Sequence, residues 1–282
     1  MRRTWLFVPG ADPAAHAAAA RSGADVIILE LEDFTPPGLR PKARQLAAAA
    51  FRMWKSSGAA AAVRINPLEG DGRVDLESVL PARPDMVLMS KVAAPGQVRA
   101  LEQATGGLFD LVPNVETAAG LINAFEIGKA SSKTVAMLLA SEDLVADLGT
   151  SRSRGGEELA WARASFLAQC RAAGVEAIDC PYTFNDLKGA VADAKWAKRM
   201  GYRMKSVVDP SHVRAISEVF SASSSELREA RRIVQAFERA RTEGKERAKV
   251  KGKLVEVPIY AAAKRLLASV ERTTPRRQKR RD

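Results

Sequence analysis

Cysteine and histidine are nearly absent from this chain of 282 residues, which holds two of each. Cys170 and Cys180 build no disulfide framework and have no zinc-ligand spacing. His16 and His212 have no histidine partner nearby in sequence, so both read as surface or structural residues. With no histidine to activate it, Cys180 is a poor nucleophile candidate although it follows a strand-like run. No apolar run approaches the ~18 residues of a membrane-spanning helix. The apolar part of the N-terminus is too short for a signal peptide. A reducing, cytoplasmic setting is the expectation. The first strand-like run is followed by Pro9-Gly10-Ala11-Asp12, not by the glycine-rich dinucleotide fingerprint.

The net charge of +11 is unevenly spread, because residues 272–282 hold six basic side chains and one acid. A basic, proline-containing tail reads as disordered. It leaves the rest of the chain with a moderate positive charge, suited to a carboxylate or phosphate-bearing small molecule as much as to DNA. With no zinc-finger or RNA-recognition signature, nucleic acid is not the expected partner.

What is present is a rhythm. Eight short apolar runs alternate with helical patterns: residues 5–8, 26–31, 60–65, 86–91, 108–115, 135–140, 177–179 and 204–208. Eight buried strands separated by helices give an α/β fold, and eight is the number that closes a (β/α)8 barrel. An open doubly wound sheet is the alternative, disfavoured by the missing fingerprint. The barrel is expected to occupy residues 1–220. An amphipathic helix around Ser225–Phe237, a charged stretch from Arg241 to Lys253 and a second helix around Ile259–Val270 make a C-terminal helical extension over 221–271. That extension is too small for a core of its own, so it is expected to pack on the barrel or on a neighbouring subunit.

In such barrels chemistry sits at the carboxyl ends of the strands. The residues there are Glu32 and Asp33 after the second run, Arg64 after the third, Lys91 after the fourth, Glu116 after the fifth and Asp143 after the sixth. Glu116 and Asp143 match the oxygen donors of a hard cation such as Mg2+, which uses one or two carboxylates and keeps several waters. Arg64 suits a substrate carboxylate. A metal that polarises the oxygen beside a breaking C–C bond is the chemistry of a retro-aldol or Claisen-type lyase. Each residue also has a plainer reading: an acid at a strand end can cap the next helix, and Lys91 can be the ion-pair partner of Glu32 or Asp33. A Schiff-base role for Lys91 is not needed once a metal is invoked.

Several segments resemble the citrate lyase β-subunit family, within the wider HpcH/HpaI aldolase and malyl-CoA lyase group. They are Leu6–Gly10, Gly23–Asp33, Lys42–Arg44, Val63–Pro67, Val115–Ala118 and Ser141–Gly149. The resemblance implies a TIM barrel, Mg2+ on Glu116 and Asp143, and Arg64 on the substrate carboxylate, with Glu32, Asp33 and Lys91 as a supporting charge network. It implies cleavage of a citryl, malyl or citramalyl group carried on CoA or a carrier protein, by a homo-oligomer (trimer or hexamer) whose C-terminal lid reaches a neighbouring site. In the lid-like run Gly252-Lys253-Leu254-Val255-Glu256-Val257-Pro258, Glu256 stands where such relatives have a catalytic Asp, and is the implied acid/base. The chain departs from the family pattern at Asp12, where an arginine is usual, and at Glu30, Ser90 and Asp209. An acid at 12 would repel a phosphate-bearing thioester. These departures keep two other readings open: a free-acid aldolase or malate-synthase-like condensing enzyme, and a catalytically silent organic-acid-binding or assembly subunit.

Overall fold

The computed structural model describes residues 2–245 and 247–271. The basic tail expected over 272–282 lies outside the described residues. Two compact units are present, Arg2–Phe220 and a second beginning at Ser221.

The first unit is a closed barrel of eight parallel strands in sequence order, with the eighth pairing back to the first. The strands are β1 Thr4–Pro9, β2 Val26–Glu30, β3 Ala60–Ile65, β4 Met86–Met89, β5 Asp110–Val115, β6 Ala136–Leu139, β7 Glu176–Asp179 and β8 Met204–Val207. Helices cross between them: α1 Pro13–Arg21, α2 Arg40–Ser56, α3 Gly72–Val79, α4 Pro95–Ala104, the short pair α5 Ala118–Ile122 and α6 Ala124–Lys129, then α7 Ser141–Asp147, α8 Ala160–Ala173, α9 Leu187–Met200 and α10 Val213–Phe220. The open-sheet alternative is thereby excluded.

Strand periodicity sorts the side chains into two layers. Trp5, Val26, Ile28, Ala62, Leu88 and Val112 fill the lumen, while Leu6, Ile27, Leu29 and Val63 face the helices. The helices answer with their own apolar stripe. In α2 it runs Ala43, Ala47, Ala50, Phe51 and Trp54, a helical period, all buried. Two strand limits differ from the sequence reading. Leu108 was expected in the fifth strand but is exposed, because Gly106 and Gly107 both take left-handed backbone angles and turn the chain before Asp110. β4 stops at Met89, before Lys91, whose own φ of 56° is incompatible with a strand.

One polar cluster sits between barrel and helices. Arg163 of α8 forks onto Asp179 at 2.9 and 2.6 Å and reaches Asp193 of α9 at 2.7 Å. Lys205, at the helix-facing parity of β8, bonds Asp179 and Asp193, each at 2.6 Å. The Arg163 guanidinium lies 4.1 Å from the Trp196 ring centroid. Two cations against two anions, with only Asp193 slightly exposed, form a closed set. His16 and His212 are also buried. His16 packs edge-on against Trp54, and its ring nitrogen lies 3.1 Å from the Pro9 carbonyl, so of the two expected placements the structural one holds.

The second unit has α11 Ser224–Thr242, capped by Ser223 and Glu226, then β9 Ala248–Val250, β10 Lys253–Val255 and α12 Val257–Glu271. The stretch read only as charged contributes to an antiparallel hairpin, closed at Lys251 and Gly252, both of positive φ. Phe237, Ala240, Ala248 and Val255 form a small apolar cluster, and Tyr260 stacks on Phe237 at 4.6 Å. The sequence reading gave this segment no core of its own.

Breaking the buried charge cluster is expected to be costly. Lys205→Met leaves Asp179 and Asp193 short of a cation and should destabilise the barrel by about 3–5 kcal/mol in urea denaturation. Burial pushes the Asp193 carboxyl up, but Lys205 and Arg163 outweigh it and hold it at about 2. Its stabilising contribution is therefore full above the ordinary carboxylate value of 3.8 and is lost as pH falls through about 2. The variant should show a weaker loss of stability over that acid window than the parent.

Candidate active site

The lumen-facing parity carries the apolar filling of the barrel up to its carboxyl-end mouth and there changes chemistry. One step beyond Trp5, Ile28, Ala62 and Asn114 on that parity lie Phe7, Glu30, Arg64 and Glu116. Register brings two of them side by side, since Glu30 and Arg64 are directly paired across β2 and β3.

Arg64 is the hub. Its Nε donates to Glu30 Oε1 at 2.8 Å, its Nη2 lies 3.1 Å from Glu32 Oε2, and its Nη1 lies 3.5 Å from Glu116 Oε1. The guanidinium carbon stands 4.9 Å from the Phe7 ring centroid, a cation–π placement. Burial alone would lower the Arg64 pKa, but the three carboxylates raise it above its usual value. Lys91, half exposed, reaches Glu32 Oε1 at 2.8 Å, which is the ion-pair reading of that lysine. The bond to Glu32 raises the Lys91 pKa and keeps its amine protonated, the wrong state for Schiff-base formation.

Glu30 entered the sequence reading only as a departure from a family pattern. In the structure it is fully buried and organises the mouth. Besides Arg64, its Oε1 accepts from the Glu32 amide at 2.8 Å and its Oε2 from the Phe34 amide at 2.6 Å. Gly10 lies against the same strand end: a Cβ there would come within 2.6 Å of the Glu30 carbonyl oxygen. The available sequence signal was parity, because Glu30 follows Val26 and Ile28 on the lumen face.

Glu116 is the strained member. It is wholly buried, and its Oε2 has no hydrogen-bond partner. Burial pushes its carboxyl up to about 8; Arg64 opposes this, while Glu32 and Asp143 add to it. Asp143, in the first turn of α7, is partly exposed and near enough to act electrostatically on both Glu116 and Lys91. Among the described residues no group of three or more His, Cys, Asp and Glu side chains stands ready to cage a metal. Two carboxylates, one with an unpartnered buried oxygen, do fit the sparse protein donor set of Mg2+.

A cavity of about 490 Å3 opens over this mouth. Arg64, Asp33, Glu142 and Asp143 line it, with an apolar wall that includes Phe7, Phe34, Leu138 and Val208. Glu32, Lys91 and Glu116 are not on its wall. Glu256 belongs to the second unit, where Arg247 lies 3.7 Å away. Asp12 caps α1, accepting from the amides of Ala14 and Ala15. Asp209 accepts from the Ser211 amide at 2.8 Å. Cys180 is buried, and burial pushes its thiol up to about 11, so no thiolate nucleophile is available.

A family model described as HpcH/HpaI aldolase/citrate lyase matches residues 3–210. The chain belongs to this family. It is similar to the citrate lyase subunit beta of Haemophilus influenzae, 32% identical over 95% of this chain and 96% of the relative. It is also similar to the L-malyl-CoA/beta-methylmalyl-CoA lyase of Rhodobacter capsulatus, 30% identical over 96% of this chain and 95% of the relative. A structure of Mycobacterium tuberculosis CitE in complex with magnesium, acetoacetate and coenzyme A superposes with a TM-score of 0.81 at 29% identity, over 95% of this chain and 98% of that one. As a member of this family the protein is a carbon–carbon lyase with a TIM-barrel fold. No helix among the described residues is long and apolar enough to cross a membrane.

Two outcomes follow, one from the mouth and one from the burial of both Cys170 and Cys180. Glu30→Gln removes a charge bonded to a guanidinium and two amides, and should cost about 1–3 kcal/mol by chemical denaturation. Both cysteines should resist alkylation in the native protein and react only when urea unfolds it, as read by mass spectrometry.

Proposed function

We propose that the mouth of the barrel binds Mg2+ through Glu116 and Asp143 and cleaves a small hydroxy-dicarboxylate carried as a CoA or carrier thioester. The observation that carries this reading is Glu116, a buried carboxylate with an unpartnered oxygen beside Arg64 and close to Asp143. Relatives support it, since CitE from M. tuberculosis is known with magnesium and coenzyme A, and with oxaloacetate and magnesium. When bound, the cation would supply stabilisation of negative charge on the oxygen beside the breaking bond.

The chain's own residues do the rest. Arg64 donates hydrogen bonds to Glu30 and Glu116 and pairs by charge with Glu32, which leaves further N–H donors of its guanidinium for a substrate carboxylate at the cavity wall. Glu30, Glu32 and Lys91 hold that guanidinium in place, and the Phe7 ring backs it. Asp33 adds charge at the rim. In the cleavage direction the substrate hydroxyl gives up its proton and the carbinol becomes a 2-oxo acid. The electron pair of the C–C bond passes to the carbon next to the thioester carbonyl, which then takes a proton, so that an acetyl thioester is released. Glu256 is our candidate for moving the proton, on the strength of the Gly252–Pro258 pattern alone. A homo-oligomer, trimer or hexamer, belongs to the same reading.

One observation favours a second reading, a free-acid aldolase. The Asp12 carboxylate occupies the amino end of α1, a place where helix amides otherwise attract a phosphate. Equal turnover with the free acid and with its thioester would select this alternative.

Glu116→Gln keeps the shape of the side chain and removes the charge. It should abolish Mg2+ binding in calorimetry and lower thioester cleavage by ~10²-fold or more. Unchanged turnover in this variant would remove Glu116 from the metal site.

A further inference from the structure

The charge of the chain is divided very unequally between its two units. Residues 2–220 hold 26 Lys and Arg against 25 Asp and Glu, so the barrel is close to neutral. Residues 221–282 hold 18 against eight and so carry +10 of the net +11. Part of that excess forms a face. On the inner side of α11, Phe237 and Ala240 are buried against Ala248 and Val255. On the opposite side Arg228, Arg231, Arg232 and Arg239 are exposed at helical spacing. They span about 16 Å along the helix axis. The acids of the helix are occupied elsewhere. Glu226 bonds the Ser223 amide at 2.7 Å, Glu229 pairs with Lys251 at 2.9 Å, and Glu238 accepts from the Tyr260 hydroxyl at 3.0 Å. Arg232 reaches Glu229 only at 3.5 Å, and Arg228 and Arg231 form no ion pair among the described residues.

A row of cations this long matches a polyanion rather than a small molecule. Duplex nucleic acid offers a phosphate charge about every 1.7 Å. The type of basic residue points the same way. α11 has five arginines and no lysine, and residues 272–282 have five arginines and one lysine. Arginine grips phosphate oxygens in pairs, where lysine acts as a point charge. The face carries no aromatic side chain on which single-stranded bases would stack. The apolar side of the helix is already covered, so it has none to bury in a lipid surface. An α-helix fits the major groove of B-form DNA but not the deep, narrow one of A-form RNA. The missing zinc-finger and RNA-recognition signatures exclude those modules, not a helix that grips the backbone by charge. We propose that the outward face of α11 binds duplex DNA through its phosphates, without reading sequence, and that the basic side chains of residues 272–282 strengthen the same hold. This binding needs no part of the lyase site.

The test is fluorescence anisotropy of a labelled DNA duplex of about 20 base pairs, titrated with the full chain at several salt concentrations. Micromolar binding at low salt is expected, with a slope of log K against log salt steeper than about −4. Arg228→Gln, Arg231→Gln, Arg232→Gln and Arg239→Gln together should weaken binding at least about tenfold and flatten the slope by about 3, with an unchanged thermal melt showing that the protein stays folded. A chain ending at Glu271 should still bind, with a shallower slope. Parent-like binding by the fourfold variant, or loss of all binding in the chain ending at Glu271, overturns the proposal. Failure of the full chain to bind the duplex at low salt does the same. Tighter binding to duplex RNA of equal length, or to vesicles containing anionic phosphatidylglycerol, also overturns it.

Discussion

The mouth of this barrel depends on one guanidinium held by three carboxylates. Arg64 takes Glu30, Glu32 and Glu116 on separate nitrogens, and none of the four is more than slightly exposed. Such a set is stable only as a whole: any acid without the arginine would be a buried charge without a partner. The distances are graded, 2.8 and 3.1 Å to the two glutamates from the β2 end but 3.5 Å to Glu116. The first two contacts are structural anchors. The third is loose, and Glu116 keeps an oxygen free. The arrangement divides holding the arginine from offering a carboxylate, which one symmetric cluster would not do.

The same parity rule builds both the core and the site. Along β2, β3 and β5, alternate residues fill the lumen until the mouth, where the next residue on that face becomes charged. Away from the lumen, Lys205 and Asp179 use the opposite parity and lock α8 and α9 to the barrel through Arg163 and Asp193. Two ionic clusters therefore coexist in one barrel without mixing. One is internally balanced, with two cations and two anions. The other, at the mouth, has acids in excess.

Much of this was legible in the sequence, for identifiable reasons. Eight apolar runs gave eight strands because a strand buried on both faces has a nearly continuous apolar signature. Glu32, Arg64, Lys91, Glu116 and Asp143 were found by their place at strand ends, and the structure gathers them at one mouth. What escaped was whatever depends on pairing across the chain. Glu30 reads as one more residue of an apolar run; its bonds to Arg64 and two amides come from the β2–β3 register. The turn before Asp110 depends on two glycine backbone angles, and the Lys251-Gly252 hairpin is masked by the surrounding charge. Lys91 was read as an ion-pair partner of either Glu32 or Asp33, and the 2.8 Å contact with Glu32 decides between the two.

The unpartnered oxygen of Glu116 has an evolutionary side. A neutral glutamine in its place would relieve the burial of an acid among other acids, so the metal-free barrel should gain stability from the change that disarms it. Selection must hold this position against a folding gradient that favours its loss. A duplicated copy freed from that selection would drift first at Glu116, keeping the barrel and shedding the chemistry. A sturdier descendant with glutamine here would be an organic-acid binder by inheritance rather than a lyase.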